Sequence, residues 1–213
     1  MMHKHLNAAQ IIDTGFPVNP GFANLQPVAQ NDACDPFRVL YFPTAKLPFV
    51  RRHGRELLDA APAVRLTIVL GRNVRHLYAR AKEIKDAYPG RVRLIGWTNR
   101  VPRLLSSHHL VVGKAGGATV HEAIAAHCPM LIHHLVPGQE EGNLRLLETI
   151  GGGSLAASPG VLTARLRAIL SDNAATWRAM KHGLAAHNRN SGAIAAASLI
   201  LQKTQEIGLR LSE

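Results

Sequence analysis

The run Val111-Val112-Gly113-Lys114-Ala115-Gly116-Gly117-Ala118-Thr119-Val120-His121-Glu122 sets an apolar strand, a glycine turn and a helix start in sequence. That order of residue types is suited to holding an anion. His109 to Val112 read as a parallel strand covered on both faces, and Gly116 and Gly117 let the backbone turn sharply and approach a ligand closely. Thr119 is expected to cap a helix running to about Ala126, with the N–H groups of the first turn and the positive end of the helix dipole facing the turn. A diphosphate on Gly116, Gly117, Ala118 and Thr119 meets that demand. Glu122, one turn further in, is placed to accept hydrogen bonds from a ribose diol. A plain helix cap accounts for the same residues, so the turn alone leaves both readings open.

A second constellation follows the next apolar run. Pro137-Gly138-Gln139-Glu140-Glu141-Gly142-Asn143 opens a helix beside the first turn. The fixed amide and carboxylate groups of Gln139, Glu140 and Asn143 can tell equatorial from axial hydroxyls by leaving a donor unpaired for the wrong sugar. Acidic residues at a helix start also simply favour the dipole.

The elements that must position these groups are short apolar runs alternating with amphipathic stretches. Val39–Phe42, Leu66–Leu70, Val92–Ile95, His109–Val112 and Met130–His133 are expected strands. Leu57-Leu58, Leu77 with Ile84, Leu104-Leu105 and Ile124 supply the helical stripes between them. Such alternation predicts an α/β fold with a doubly wound, parallel, Rossmann-like sheet and ligands at the carboxyl ends of its strands. Both motifs fall at such ends. The first 36 residues, with Asn19-Pro20-Gly21-Phe22 and Asn31 to Pro36, read as turns and entry linker rather than core, and 37–213 as one domain. Trp177 and Met180 are expected to be packing anchors in a helical tail.

Composition bounds the classes. A chain of 213 residues with 46% hydrophobic and 18% charged residues suits one soluble core. No run approaches the ~20 apolar residues of a membrane span, and the start has no secretory apolar core, which predicts a cytoplasmic protein. Two cysteines, Cys34 and Cys128, are too few for a disulfide framework. Cys128 is expected to be a free buried thiol. The formal charge of +11 suits an anionic surface, with Arg51, Arg52 and Arg55 the leading candidates, or else a merely solvated basic face. Aromatics at 5% and the absence of a nucleic-acid module argue against nucleic acid.

The wider text resembles the C-terminal half of glycosyltransferase family 28, particularly its diacylglycerol galactosyl- and glucosyltransferases. Gly15-Phe16-Pro17-Val18 is similar to the segment entering that half, Gly71-Arg72-Asn73 to the loop after its second strand, and Gly96-Trp97-Thr98 to a later strand end. Val111 to Glu122 looks like the family's donor-phosphate turn and Pro137 to Asn143 like its sugar-reading loop. The resemblance implies the donor-binding half of a GT-B enzyme that moves a hexose (galactose, glucose or N-acetylglucosamine) from a UDP-sugar to a lipid acceptor such as diacylglycerol, with inversion. It implies uracil contacts at Trp97 and Val101, and no cofactor beyond the donor itself. The family's acceptor-binding half, from which the catalytic base is expected, is not read in this chain. A two-chain transferase with a separate acceptor-binding subunit, and a truncated, non-catalytic nucleotide-sugar-binding module, therefore stand as alternatives. The implied location is the cytoplasm, peripheral on the membrane's cytoplasmic face.

One departure concerns the loop after the first strand. The family has a glycine run there, whereas this chain has Pro43-Thr44-Ala45-Lys46-Leu47-Pro48, a stiffer loop that cannot cradle phosphate with successive N–H groups. Lys46 is the candidate compensating charge and Thr44 a compensating hydroxyl; an ordinary exposed lysine is the alternative. Histidines invite a metal reading, yet His108-His109 and His133-His134 are adjacent pairs that point to opposite faces of a strand, and His121 and His127 are six apart on a helix. No metal site is expected.

Overall fold

The computed structural model describes residues 7, 11–29, 32, 34–44, 47–187 and 192–210. Six strands, β1 (Phe37–Tyr41), β2 (Val64–Val69), β3 (Val92–Ile95), β4 (Leu110–Lys114), β5 (Met130–His134) and β6 (Gly153–Leu155), form one sheet in the order β3-β2-β1-β4-β5-β6. All five strand pairings are parallel. The helices are α1 (Leu47–Leu58), α2 (Val74–Ala87), α3 (Val101–Ser107), α4 (Gly117–Ala125), α5 (Glu141–Thr149), α6 (Val161–His187) and α7 (Gly192–Arg210).

The expected doubly wound α/β sheet is what forms, because strands buried on both faces alternate between two cores. Phe37, Val39, Tyr41, Leu66 and Ile68 pack with Leu57, Leu77, Ile84 and Trp177 on one side. Leu40, Val111 and Ile132 pack with Leu105, Val120, Ile124 and Leu147 on the other. The strand order reverses between β1 and β4, so the helices that follow these two strands diverge to opposite faces. Such a switch point, at the carboxyl ends of the strands, is where doubly wound sheets open a ligand crevice. The loop from Phe42 to Thr44 and the turn from Lys114 to Gly117 are its two banks.

Three elements depart from the sequence reading. β6, for which no strand is expected from the sequence, begins at Gly153, the last of three consecutive glycines after α5. It is three residues long, and a Cβ at Gly153 would collide with the carbonyl oxygen of Met130 on its neighbour, so glycine is required where a strand signal would otherwise stand. The entry segment also contributes to the core. Pro20–Asn24 is a short 3-10 helix started by the Asn19 side chain, which accepts from the Gly21 N–H, and Val18, Phe22 and Val28 are buried. Its turn residues were legible, but the burial of the apolar residues between them depends on the distant surfaces they meet. Helix α6 is interrupted by left-handed backbone at Asp172, Asn173 and Ala174. Beyond that break Trp177 is fully buried and donates its indole N–H to the His109 carbonyl at 2.7 Å, the anchor role expected of it.

Candidate functional site

The turn after β4 ends in Gly116, which is the N-cap of α4, with φ −67° and ψ 139°. This corrects the expected cap at Thr119. A glycine cap has no side chain to bond the first-turn N–H groups, and Thr119 sits inside that turn. The first helical bond shown for α4 runs from Val120 N to Gly116 O, so Gly117, Ala118 and Thr119 hold the N–H groups ahead of it, with no side-chain cap upon them. A glycine at this cap keeps the mouth of the dipole open to an anion.

Lys114, part of the motif but given no role from sequence, stands at that mouth. Its side chain is 53% exposed, and its Nζ lies 3.5 Å from where a Cβ on Gly116 would be. Nζ also donates to Glu140 Oε1 at 2.8 Å. The register shift between β4 and β5 at Gly113/Lys114 accompanies the reorientation of this residue at the strand end. A strand-end lysine two residues before a glycine turn was the available signal.

Glu140 departs from the expectation of an open, sugar-facing carboxylate. It is 3% exposed, and its second oxygen accepts from the Val136 N–H at 3.1 Å, so both oxygens are engaged by the protein. Asn143 donates from Nδ2 to the Ala115 carbonyl at 2.9 Å, and the same nitrogen lies 3.7 Å from where a Cβ on Gly117 would be. The two sequence motifs are thus brought together: the start of α5 braces the turn that opens α4. Only Gln139 of the trio is exposed. The reason is spatial, since Glu140 is where the β5–α5 loop folds back on β4.

Glu122 is half-buried on α4 and forms no hydrogen bond or ion pair through its carboxylate among the described residues; burial raises its pKa above the usual carboxylate range. Trp97 is 62% exposed in the loop after β3, and Val101 begins α3 just beyond. Thr44, in the loop after β1, presents a buried hydroxyl oxygen with no partner among the described residues. Lys46 lies outside the described residues. Phe16, from the entry segment, stacks on His121 at 3.8 Å with rings 3° apart and reaches to 3.9 Å from the Cβ position of Gly117. It thereby walls one side of the helix start. Nothing in its local sequence signalled this long-range stack.

The adjacent histidines diverge, as strand geometry requires. His108 meets Thr67 and Leu104, while His109 Nδ1 accepts the Arg38 N–H at 2.9 Å. His133 instead meets His53, at 4.7 Å between ring centroids, beneath the crevice, with Tyr41 donating to or accepting from His53 Nδ1 at 3.1 Å. Burial first, then the neighbouring His133 and Arg52, pull His53 down to about 3, so this cluster is neutral at ordinary pH. Among the described residues no group of three or more His, Cys, Asp and Glu is arranged to hold a metal ion. Cys128 is a free, buried thiol that burial pushes up to about 12.

On the far side of α1, Arg51, Arg52, Arg55 and Arg80 line a cavity of about 740 Å³ together with Glu56 and Asp59. Their charge is partly compensated: Arg51 and Arg80 both pair with Glu83, and Arg52 with Glu56. No described helix is long and apolar enough to cross a membrane.

This sheet, reversed at β1/β4 with an open helix start at the switch point, is the Rossmann-like architecture of GT-B glycosyltransferases. Among solved structures, MurG of Acinetobacter baumannii matches 81% of the chain with a TM-score of 0.60 at 17% identity, the match spanning 52% of that protein. WaaG, a glycosyltransferase involved in lipopolysaccharide biosynthesis, matches 78% with a TM-score of 0.53 at 20% identity and 47% of its own length. The fold is not confined to transferases, since the UDP-GlcNAc 2-epimerase of Neisseria meningitidis bound to UDP-GlcNAc matches 78% of the chain with a TM-score of 0.57 at 17% identity and 44% of its own length.

In sequence, the chain is similar to curated processive diacylglycerol beta-glucosyltransferases, in line with the family 28 resemblance. The enzyme of Staphylococcus carnosus is 31% identical over 101 residues, 47% of this chain and 25% of the relative. That of Bacillus cereus strain 03BB102 is 25% identical over 173 residues, 78% of this chain and 44% of the relative. The chain thus spans less than half the length of these relatives. No family model matches it.

Proposed function

We propose that the chain is the donor-binding part of a UDP-sugar-dependent hexosyltransferase whose acceptor is a lipid such as diacylglycerol. The observation that carries this reading is the uncapped start of α4, with Lys114 at its mouth and the unpartnered, half-buried Glu122 one turn further in. The names of the curated relatives support the lipid acceptor and the glucosyl class.

In this reading the diphosphate sits against the N–H groups of Gly117, Ala118 and Thr119, and Lys114 balances the charge that grows on it as the anomeric bond breaks. Glu122 accepts from the ribose hydroxyls, and the exposed face of Trp97 meets uracil, with Val101 beside it. Gln139 and Asn143 read the hexose, while Glu140 holds Lys114 and the β5–α5 loop in place. The acceptor hydroxyl attacks the anomeric carbon from the side opposite the diphosphate, which inverts the centre. No catalytic base is assigned among these residues; an acceptor-binding half supplies it, on the same polypeptide or on a separate subunit. The Lys46 role in diphosphate binding and a peripheral position at an anionic membrane surface, by way of Arg51, Arg52 and Arg55, belong to the same proposal.

The test is calorimetric titration of uridine diphosphate, UDP-glucose, UDP-galactose and UDP-N-acetylglucosamine into the purified chain. Saturable one-to-one binding that adenosine diphosphate does not reproduce is the expected result. Equal binding of adenosine and uridine diphosphates would refute the uridine reading.

A further inference from the structure

The sheet is covered unevenly. On one face α1, α2 and α6 bury β1 to β3, and on the other α4 and α5 supply the core over β4 and β5. Toward the amino-terminal ends of β2 and β3 this second face is bordered by α3 and residues 26–29, tied together by Val28 N donating to Ser106 O at 3.0 Å. The result is a cavity of about 830 Å³ near the amino-terminal ends of the first three strands. It lies at the opposite end of β1 from the crevice, some ~13 Å of strand away by the rise per residue.

Its lining is set by register. Val64, Leu66 and Ile68 belong to the other core, so Arg65 and Thr67 face this cavity. Arg38 on β1 is paired with Arg65, and Arg93 on β3 with Thr67, and Arg91 enters at the start of β3. Arg38, Arg65 and Arg93 therefore share this face with one carboxylate, Asp32, and Arg91 also borders the cavity. Arg65 spends its bonds on the Pro62 and Val64 carbonyls, which fixes it without neutralising it, while Arg91 turns its guanidinium to the Leu58 and Ala61 carbonyls and the Tyr88 ring on the α1/α2 side. Arg38 bonds the Ser107 carbonyl and reaches Asp32 at 3.4 Å. Arg93 has no hydrogen bond or ion pair among the described residues.

The convergence is felt by a buried reporter. His108, 7% exposed, lies between Thr67 Oγ1 at 2.9 Å and the Leu104 carbonyl at 2.6 Å. Burial lowers its pKa to about 4; the Leu104 bond opposes this, and the positive charges of Arg38 and Arg93 add to it.

We propose that this cavity is a second anion site, separate from the donor crevice, for a small molecule carrying adjacent phosphate groups. Guanidinium forks match phosphate oxygens in geometry and keep their charge, and a concave site of this volume is of the size that small ligands fill. Thr67 and Ser107 add hydroxyls at its floor. Like charges gathered in a concavity repel one another, and an anion is what relieves that repulsion.

The experiment is calorimetry with inorganic tripolyphosphate on the whole chain, in parallel with NMR titration of the His108 ring. Arg93→Ala, whose parent side chain has no partner to lose, is expected to weaken binding about tenfold, and Lys114→Met to leave a binding event of unchanged affinity. Saturation is expected to raise the His108 pKa in the parent. That shift is a response which a purely structural role for the arginines would not produce. Competition by uridine diphosphate that persists in Lys114→Met would identify a nucleotide as the occupant, and its absence would favour an inorganic or sugar phosphate. Arg93→Ala binding within twofold of the parent, loss of all binding in Lys114→Met, or an unmoved His108 would overturn the proposal.

Discussion

Replacing Lys114 with methionine separates the two tasks the structure gives it. Toward a bound diphosphate, Nζ supplies a point charge from a half-exposed position at the helix start. Two unit charges ~4 Å apart interact by about 1 kcal/mol in water and about 4 kcal/mol at a protein surface's effective dielectric, so roughly fivefold to thousandfold weaker binding of uridine diphosphate is expected. Toward the fold, Nζ is one of two partners of the Glu140 carboxylate, which is nearly inaccessible to water. Its removal leaves a buried carboxylate with the Val136 N–H alone, a loss of about 1 to 3 kcal/mol. Glu140→Gln on the Lys114→Met background removes the stranded charge and should recover part of the stability without recovering affinity. Isothermal titration calorimetry at two salt concentrations and urea unfolding measure the two effects, and salt should weaken the parent's binding more than the variant's. Should Lys114→Met stay folded and bind within twofold of the parent, with the same salt dependence, the assignment of this lysine to the anion would be wrong.

Glu122→Ala should weaken uridine diphosphate by about 1.5 to 3 kcal/mol, the range for hydrogen bonds to a charged group, and should barely affect the 2′-deoxy-3′-deoxy analogue, as a calorimetric comparison would reveal. Because burial raises the Glu122 pKa in the folded chain, ionising it costs stability as pH rises through that pKa. Glu122→Gln should therefore raise the unfolding temperature at neutral pH, with the gain fading as the pH falls through the raised folded-state pKa and gone below the unfolded-state value of about 4.3. Neutralising Arg51, Arg52 and Arg55 together should reduce co-sedimentation with anionic vesicles, at ~1 kcal/mol per residue that reaches the lipid, and unchanged sedimentation would mark these residues as a solubilising surface. The chain by itself should bind donor but transfer no sugar, and radiolabelled transfer to diacylglycerol by the purified chain would place a base among residues to which none has been assigned.

Much of the architecture was legible from local pattern. Apolar runs such as Leu66–Leu70 and Met130–His133, separated by helical stripes, specify buried parallel strands because a strand covered on both faces cannot alternate with polar residues. The glycines at 116 and 117 marked the turn, and the 137–143 run marked its companion, because backbone freedom and helix starts are local properties. Which residue caps α4 was less secure: threonine is the better capping side chain, but the chain enters the helix three residues earlier at Gly116, where the backbone leaves β4. Three-residue β6 escaped detection since its first residue is a glycine chosen for closeness to Met130, a contact no neighbouring residue encodes.

Only the tertiary structure decided what the site's charged groups do. The residue types and their order named Glu140 and Asn143 as polar groups beside an anion turn, but which face solvent and which face each other depends on how β4 and β5 lie side by side. Their register brings Lys114 against Glu140, and Ala115 against Asn143, so that the sugar-reading motif also holds the phosphate turn in shape. The same holds for Arg38, Arg65 and Arg93, scattered along 56 residues of chain and gathered by strand pairing on one face. Sequence determines composition, period and turn chemistry because those are set over a few bonds; long-range electrostatics arise only when the sheet has closed the distance between them.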